Sequence, residues 1–400
     1  MKKFHSTILL FILILTGCLI PETEQIKPEE ITGENSSVVN LNINGIFNGY
    51  YYDKNDRTLT TYHTINEDDK LTIGVFTNTP SNTQALPVLL ETIINKDSTY
   101  KVYNSNNTYA VTTQSRIFIF EKQDDGTITN TQTITTDRDT GDIIFFNGGF
   151  YLIEKVIFER SRSGIRIVRY NSSGNQVWAK YIGLTNSFLY SNSIITTNND
   201  LIIIGSTGGE IFGGEIYLTK ISSIGNVYYE VIYGGTGREF GNDIMETSDG
   251  GLFITAETVI EEQCVQPMII KTDKYGIIEW ERTITEQYIT GFVTAIETDS
   301  GYTIQYKTNN GYIFVKLSNN GRLTTAKAIY NPNSELRLIK NKDSIYITAF
   351  YRSPENNTIY YTETNSTLML YSSSLNTRNL RISIKNSFTY SESYKMISVF

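Results

Sequence analysis

The first residue that could carry chemistry is Cys18, at the end of the segment Leu15-Thr16-Gly17-Cys18. Its thiol is the only group nearby that can carry a thioether-linked lipid, and the small residues before it let a peptidase approach the backbone closely. The chain begins with Lys2 and Lys3, and an apolar run extends from Ile8 to Leu15. This order is typical of a secretory signal, and the run is too short to span a membrane.

The segment that ends at Cys18 resembles the lipobox of bacterial lipoproteins. The resemblance implies that residues 1–17 are a removed signal peptide and that Cys18 is the lipid attachment site, carrying palmitate-type acyl chains. Several acyl chains on one residue give stable anchoring, where one chain would be marginal. The expected location is therefore the bacterial cell envelope, at the outer membrane or cell surface, with the inner membrane as an alternative. An ordinary signal with an incidental Cys18 is the competing interpretation.

Residues 19 to about 38 are rich in proline and glutamate and have no apolar period. Such a composition does not bury enough surface to offset the entropy of ordering the chain. The sequence therefore predicts a lipidated N-terminus and flexible tether over 18–38, followed by one domain over 39–400.

The charge and the scarcity of cysteine and histidine exclude several classes of function. Removal of the signal changes the formal net charge from −8 to −10, which disfavours nucleic acid as a partner. It also leaves Cys264 as the only free thiol and His63 as the only histidine. We therefore expect no metal site, no cofactor and no nucleophile-histidine pair unless it uses His63. Cys264 follows Glu261, Glu262 and Gln263, a pattern that predicts a polar loop.

The segment 234–241, Gly-Gly-Thr-Gly-Arg-Glu-Phe-Gly, looks at first like a phosphate-binding loop. A phosphate site of that kind requires a helix to begin there, and a strand pattern resumes at Asp243 instead. The segment is interpreted as a connection between strands. Carboxylates are plentiful, but no spacing selects the pair that a glycosidase would need, so no catalytic residue is assigned.

An internal repeat organises the rest of the sequence. A strand-like run, a turn glycine and an aromatic residue recur in that order, as in Ile165–Arg169, Gly174 and Trp178. The repeat is marked by the turn glycines Gly126, Gly174, Gly225, Gly276 and Gly321. Each clear unit also has two short strands around a turn, as at Asp249-Gly250-Gly251. Four strands in about 50 residues is the size of a propeller blade.

These units predict an all-β fold, a β-propeller of four-stranded blades. The expected number of blades is seven, with six and eight as alternatives, and a linear β-solenoid is the runner-up. Radial packing covers both faces of each sheet and leaves only short edges. The run Tyr394–Phe400 is a candidate for the strand that closes the ring against the first blade. Rings at Trp178, Tyr229 and Trp280 are expected to pack between adjacent blades. The basic residues of the repeat are expected at a sheet edge or rim: Arg169, Lys220, Lys271 and Lys316.

The segment Lys271–Trp280, with Asp249-Gly250-Gly251, resembles the repeat of secreted and lipoprotein propellers of the quinoprotein-like type. The resemblance covers residues 110 to 330 and implies the propeller fold. Quinone-dependent members of that group have a metal site and a tryptophan stacked over the cofactor, and neither is found in this sequence. The repeat is therefore interpreted as structural.

Two functions remain for such a chain. The main interpretation is a non-enzymatic binding or scaffolding lipoprotein that holds a protein or glycan partner at one propeller face. The alternative is an enzyme that acts on envelope carbohydrate, with acidic residues at the mouth of the central channel and tyrosines as stacking platforms.

Overall fold

The structure is a computed structural model of the chain. It describes residues 37–41, 46–53, 58–67, 70–77, 88–92, 99–136, 138, 141–157, 163–183, 188–208, 214–234, 237–260, 264–285, 289–309, 311–330, 334–341, 344–352, 359–365, 377–379, 383–385 and 395–397. Within these ranges there is no helix that is long and apolar enough to cross a membrane.

The described strands form seven antiparallel sheets, each built from four main strands. Blade 1 contains β2 (Ile46–Asp53), β3 (Thr58–Glu67), β4 (Lys70–Thr77) and β5 (Val88–Thr92). Blade 2 contains β6 (Lys101–Ser105), β7 (Thr108–Thr112), β8 (Arg116–Lys122) and β9 (Ile128–Thr135). Blade 3 contains β10 (Asp142–Phe146), β11 (Gly149–Ile157), β12 (Ser163–Asn171) and β13 (Gln176–Ile182).

The next three blades repeat this order. Blade 4 contains β14 (Phe188–Ile195), β15 (Leu201–Thr207), β16 (Glu215–Ile221) and β17 (Val227–Tyr233). Blade 5 contains β18 (Arg238–Glu246), β19 (Leu252–Ile260), β20 (Cys264–Thr272) and β21 (Ile278–Thr285). Blade 6 contains β22 (Ile289–Thr298), β23 (Gly301–Thr308), β24 (Gly311–Leu317) and β25 (Leu323–Tyr330).

The last blade joins the two ends of the domain. Blade 7 contains β26 (Ser334–Asn341), β27 (Ser344–Arg352) and β28 (Ile359–Asn365), and its outer strand is β1 (Ser37–Leu41), which pairs with β28. The prediction that Tyr394–Phe400 closes the ring against the first blade is wrong. The N-terminal strand closes it, and it begins two residues before the expected domain boundary at 39.

The first strands of successive blades line the central channel. Contacts join β2 to β6, β6 to β10, β10 to β14, β14 to β18, β18 to β22 and β22 to β26. The ring closes where Arg337 of β26 contacts the hydroxyl of Tyr50 in β2 and lies 4.6 Å from the centre of its ring. The predicted all-β propeller of four-stranded blades is confirmed, and its sheet count lies within the predicted range of six to eight.

Three blades carry a fifth, short strand at the outer edge. β29 (Thr377–Asn379) pairs with β25, β30 (Ser383–Lys385) with β21, and β31 (Lys395–Ile397) with β17. The C-terminal residues thus pass along the outside of blades 6, 5 and 4 in that order.

The tryptophans of the repeat join neighbouring blades, as predicted. The indole N–H of Trp178 in blade 3 donates to the carbonyl oxygen of Ser223 in blade 4, at 3.1 Å. Trp280 of blade 5 does the same to Asn319 of blade 6, at 3.0 Å. Each ring therefore packs against the turn of the next blade and ties that turn down by a hydrogen bond.

The turn glycines provide the space for these rings. A Cβ at Gly321 would lie 2.7 Å from the ring of Trp280, and one at Gly225 would lie 3.2 Å from the ring of Trp178. Both glycines also have a positive φ, which residues with a side chain rarely adopt. Close approach and backbone conformation together explain why glycine recurs at this point of the repeat.

The prediction that the recurring basic residues lie at a sheet edge or rim is wrong. Each of them lies on the third strand of its blade, between two neighbouring strands: Arg169, Lys220, Lys271 and Lys316. Lys271 is only 2% exposed. The Lys271 ammonium is 2.9 Å from a carboxylate oxygen of Asp249 and 3.0 Å from one of Glu279. Burial is tolerated because these carboxylates compensate the charge, an arrangement that the residue type alone does not reveal.

Two other segments can be placed. Cys264 is the first residue of β20, opposite Ile260, so the prediction that it lies in a loop is wrong. Strand β17 ends at Tyr233 and β18 begins at Arg238, so residues 234–237 come between two blades in the sequence, as predicted, whereas Arg238 to Gly241 belong to β18.

Candidate functional site

The lipid attachment site predicted at Cys18 lies outside the described residues. The anchor therefore stays a prediction.

A cavity of about 360 Å³ opens at the central channel, between blades 1 to 4. We call it the tyrosine cavity, because its lining contains five tyrosines close to the channel axis and a sixth on β3. Its lining residues are Tyr50, Tyr51, Tyr52, Asp53, Tyr62, Lys101, Val102, Tyr103, Asp142, Ile143, Ile144, Tyr190, Ser191, Asn192 and Ser193. First strands supply all of these except Tyr62, so ring closure is what brings them together.

Asp142 is the centre of the polar contacts in the tyrosine cavity. Its Oδ1 accepts a hydrogen bond from the Tyr103 hydroxyl at 3.0 Å and from the Lys101 ammonium at 3.0 Å. The Asp142 side chain is 36% exposed. A carboxylate held by two donors from the neighbouring blade, yet open to solvent, can contact a bound ligand.

The tyrosines around Asp142 are neutral proton donors. Burial, followed by the charge of Asp142, raises the pKa of Tyr103 well above its ordinary value. The same two causes raise the pKa of Tyr190, whose hydroxyl lies 2.8 Å from Oγ of Ser193. The ring of Tyr51 packs edge-on against that of Tyr103, with centroids 4.8 Å apart. These hydroxyls can orient a ligand but do not supply a negative charge.

A second carboxylate, Asp53, also lines the cavity, and it is 3% exposed. Beneath the lining, the Asn192 amide donates to Oδ1 of Asp243 at 3.1 Å, which fixes the side chain of Asn192. The guanidinium of Arg337 donates to the carbonyl oxygen of Val293 at 3.1 Å as well as contacting Tyr50. The groups in these contacts come from blades 1, 4, 5, 6 and 7.

His63, the only histidine left after signal removal, does not lie at this site. It is 2% exposed, stacks on Phe76 with ring centroids 5.5 Å apart, and fills the space above Gly74. Burial lowers its pKa below the ordinary value, so the ring is held neutral. The structure gives His63 a packing role.

The other end of the channel contains a larger cavity, of about 940 Å³, lined mainly by the turns between first and second strands. Two of its glutamates hold those turns. Glu246 accepts from the backbone N–H of Thr197 at 2.8 Å, and Glu297 accepts from that of Ser248 at 2.8 Å. These contacts cross from one blade to the next, so both carboxylates have a structural role.

No group of three or more possible metal-ligating side chains occurs among the residues that the structure describes. The sequence did not single out any residue of the tyrosine cavity. Each of its tyrosines reads as an ordinary strand residue, because tyrosine is common in strands. A run of three, Tyr50 to Tyr52, was the one local signal.

Comparison with known proteins gives the fold. No protein-family model matches this chain, and no curated protein matches it by sequence. A solved prolyl endopeptidase is similar over 86% of this chain, with 8% identity and a TM-score of 0.51. A sialidase from Trypanosoma rangeli is similar over 82% of this chain, with 11% identity and a TM-score of 0.35. The chain spans about half the length of each, 50% and 56%.

The main interpretation from the sequence, a non-enzymatic binding or scaffolding protein, is contradicted by this comparison. The solved prolyl endopeptidase that has a similar fold is an enzyme, and this finding counts against the non-enzymatic interpretation. At 8% identity the likeness itself shows only the fold, and the reaction has to be inferred from the site of this chain.

Proposed function

We propose that this chain is a carbohydrate-active enzyme of the cell envelope and that the tyrosine cavity is its active site. The observation that carries the proposal is that two carboxyl groups, those of Asp142 and Asp53, line one cavity of the channel together with several tyrosines. Hydrolysis of a glycosidic bond ordinarily uses two carboxyl groups. The proposed reaction adds water across that bond and leaves a new reducing end.

The lining matches the chemistry of a sugar. A pyranose ring has apolar C–H faces and a rim of hydroxyl groups, so it binds to aromatic rings and to short polar side chains. Here Tyr51 and Tyr52 supply rings, and Asn192 and Ser193 supply polar groups. A cavity of about 360 Å³ is within the size range of small-molecule sites.

The two carboxyl groups have different surroundings, which suits different roles. Asp142 is partly exposed and receives hydrogen bonds from Lys101 and Tyr103, so we assign it the charge-stabilising or nucleophilic role. Asp53 is buried, so we assign it the proton-donating role. The neutral hydroxyl of Tyr103 orients Asp142.

The proposed place of action follows from the N-terminal signal. With Cys18 lipidated, the propeller is held at a bacterial membrane by residues 19–36, and the substrate is a glycan of the cell envelope. The short apolar run with basic residues before it supports this location.

The test is the release of reducing ends from purified envelope glycans by the full-length protein. A panel should include peptidoglycan, capsular polysaccharide and chromogenic glycosides of common sugars. Release above the level of a heat-inactivated sample supports the proposal. A protein that binds none of these glycans and releases no reducing ends would overturn it.

A further inference from the structure

The turns between third and fourth strands have different tips in different blades. In blades 2 to 6 each turn has a glycine with a positive φ, and the residue before that glycine is the tip. The tip is polar in blades 2, 3 and 6, where it is Asp125, Ser173 and Asn320. In blade 4 it is Ile224, which is 71% exposed, and in blade 5 it is Tyr275, which is 57% exposed. Turns favour Asn, Asp and Ser, so turn formation does not explain the two apolar tips.

These two tips belong to a larger apolar patch on adjacent blades. We call it the apolar rim, and it contains the exposed residues Ile224, Tyr228, Tyr275 and Ile277. The hydroxyl of Tyr233 in blade 4 donates to the carbonyl oxygen of Gly276 in the blade 5 turn at 2.7 Å, which joins the two blades here. Exposed apolar residues at the opposite end lie on three different blades: Ile46, Ile157 and Val265. Single residues of that kind are normal on a surface, whereas a group on adjacent blades marks an interaction site.

The apolar rim has basic groups beside its aromatic rings. The Lys274 ammonium lies 5.0 Å from the centre of the Tyr275 ring, and the Lys220 ammonium lies 6.0 Å from that of Tyr228. Tyrosine has an apolar ring with a polar tip, and lysine has an apolar stem with a charged head. Both residue types suit the boundary between lipid and water. The chemistry of the rim therefore matches a membrane surface.

The N-terminus enters the propeller at the same end as the apolar rim. Strand β1 takes the place of a fourth strand in blade 7 and runs antiparallel to β28, as β17 runs antiparallel to β16 in blade 4. Ser37, the first residue of β1, therefore lies at the end that carries the turns between third and fourth strands. A flexible tether over residues 19–36 would span roughly 20–25 Å on average. Such a tether keeps a lipid on Cys18 near this end.

We propose that the apolar rim rests on the surface of the membrane that holds Cys18. This inference depends on the lipid anchor of the proposed function and adds the orientation of the propeller. Blade 4 is three positions from blade 7 in the ring, so the tether and the rim hold the propeller at two separate points. The side chains of the rim enter the headgroup region of the bilayer.

This orientation leaves the tyrosine cavity accessible. The larger cavity is lined in part by Asn171 and Ser172, beside the blade 3 turn, so it lies at the end that faces the membrane. Lys101 and Asp142 of the tyrosine cavity are the first residues of β6 and β10, which places them towards the opposite end. A glycan can therefore reach Asp142 from the side away from the bilayer.

The first test uses the full-length lipidated protein in phosphatidylcholine vesicles that contain lipids with a nitroxide near the headgroup. With Cys264→Ser as background, Ile224→Cys or Val265→Cys provides one thiol for a fluorophore, at the rim or at the opposite end. Fluorescence at position 224 should be quenched about twofold or more relative to position 265. Equal quenching at the two positions would overturn the orientation.

The second test changes the rim and reads a different position. A fluorophore on Ser173→Cys, in the same background, reports how close the blade 3 turn is to the lipid. Adding Tyr275→Asp places a charge in the rim and should reduce the quenching about twofold. The matched control, Asn320→Asp, adds the same charge at the same turn position of blade 6 and should leave it unchanged. Circular dichroism confirms that each variant is folded.

The outcomes separate this inference from the proposals on which it depends. A wild-type protein that does not float with the vesicles would overturn the anchor and the orientation together. A protein that floats, but whose quenching responds equally to Tyr275→Asp and Asn320→Asp, would overturn the orientation alone. Release of reducing ends from a soluble glycoside should be the same in both variants, because neither residue lines the tyrosine cavity.

Discussion

Trp280 in blade 5 donates its indole N–H to the carbonyl oxygen of Asn319 in blade 6, at 3.0 Å. The same ring lies over Gly321, where no side chain could fit. This one residue therefore links the two blades by a hydrogen bond and by packing, and its counterpart Trp178 does the same between blades 3 and 4.

We predict that Trp280→Ala lowers the free energy of unfolding by about 2–3 kcal/mol, because the ring is half-buried and its loss leaves a cavity between blades. Urea denaturation followed by circular dichroism measures the change. Tyr275→Ala is the control, since Tyr275 is 57% exposed, and it should cost about 0.5 kcal/mol or less. Equal losses in the two variants would show that Trp280 does not join the blades.

Lys271 gives a second test of what holds a blade together. Replacing Lys271 by Met keeps the apolar stem and removes the contacts to Asp249, Glu279 and the carbonyl oxygen of Thr272. We expect a loss of about 1.5–3 kcal/mol, the range for hydrogen bonds to charged groups. Lys316→Met, at the same place in blade 6, should change stability by about 0.5 kcal/mol or less, because Lys316 is only half-buried. A stabilised Lys271→Met protein would contradict this account.

Because His63 is buried and neutral, the free energy of unfolding should depend on pH. Its pKa is lowered in the folded protein, so below about pH 6.5 the unfolded chain binds a proton that the folded chain does not. Stability should therefore fall as the pH decreases from about 6.5 to the folded pKa, by at most about 1.4 kcal/mol per pH unit. Thermal unfolding from pH 7.5 to 5.5 measures this. His63→Phe keeps an aromatic ring and should flatten the curve, and an unchanged slope would contradict the assignment.

The repeat could be read from the sequence because its signals are local. A turn glycine, a strand run and an aromatic residue recur within about 50 residues. The structure packs Trp280 against Gly321 of the next blade, which agrees with the expectation that this ring lies between adjacent blades. Strand β1, which closes the ring, carries no such local signal in the sequence. Ser37 pairs with Glu363, a contact between the two ends of the domain that no local pattern encodes.

The candidate site could not be predicted from the sequence either, because its residues are far apart in the chain. Tyr51, Tyr103 and Tyr190 lie on three different blades and meet only because first strands line one channel. The burial of Lys271 was missed because lysine is rarely buried unless it is paired. Its partners are Asp249, in the turn between β18 and β19, and Glu279, on the neighbouring strand β21. Sequence patterns thus predict the blade, whereas the contents of the channel depend on ring closure.

Cys18→Ser tests the proposed membrane anchor. The thiol is the only attachment point for a thioether-linked lipid in that segment, so the variant should move from the detergent phase to the aqueous phase on partitioning. Its circular dichroism spectrum should be unchanged, because the tether precedes β1. Cys264→Ser is the matched control and should remain in the detergent phase. A Cys18→Ser protein that stays with the membrane would contradict the anchor.

The most direct measurement of the central claim is kcat/KM of Asp142→Asn on a glycan that the wild-type protein cleaves. Because Asp142 is assigned a role in the reaction itself, the variant should lose about 10²–10⁴-fold in kcat/KM while remaining folded. Asp299→Asn is the control: Asp299 is an exposed carboxylate in a blade 6 turn, and its variant should keep the wild-type value. Equal activity of the Asp142→Asn and Asp299→Asn proteins would contradict the assignment of the tyrosine cavity as the active site.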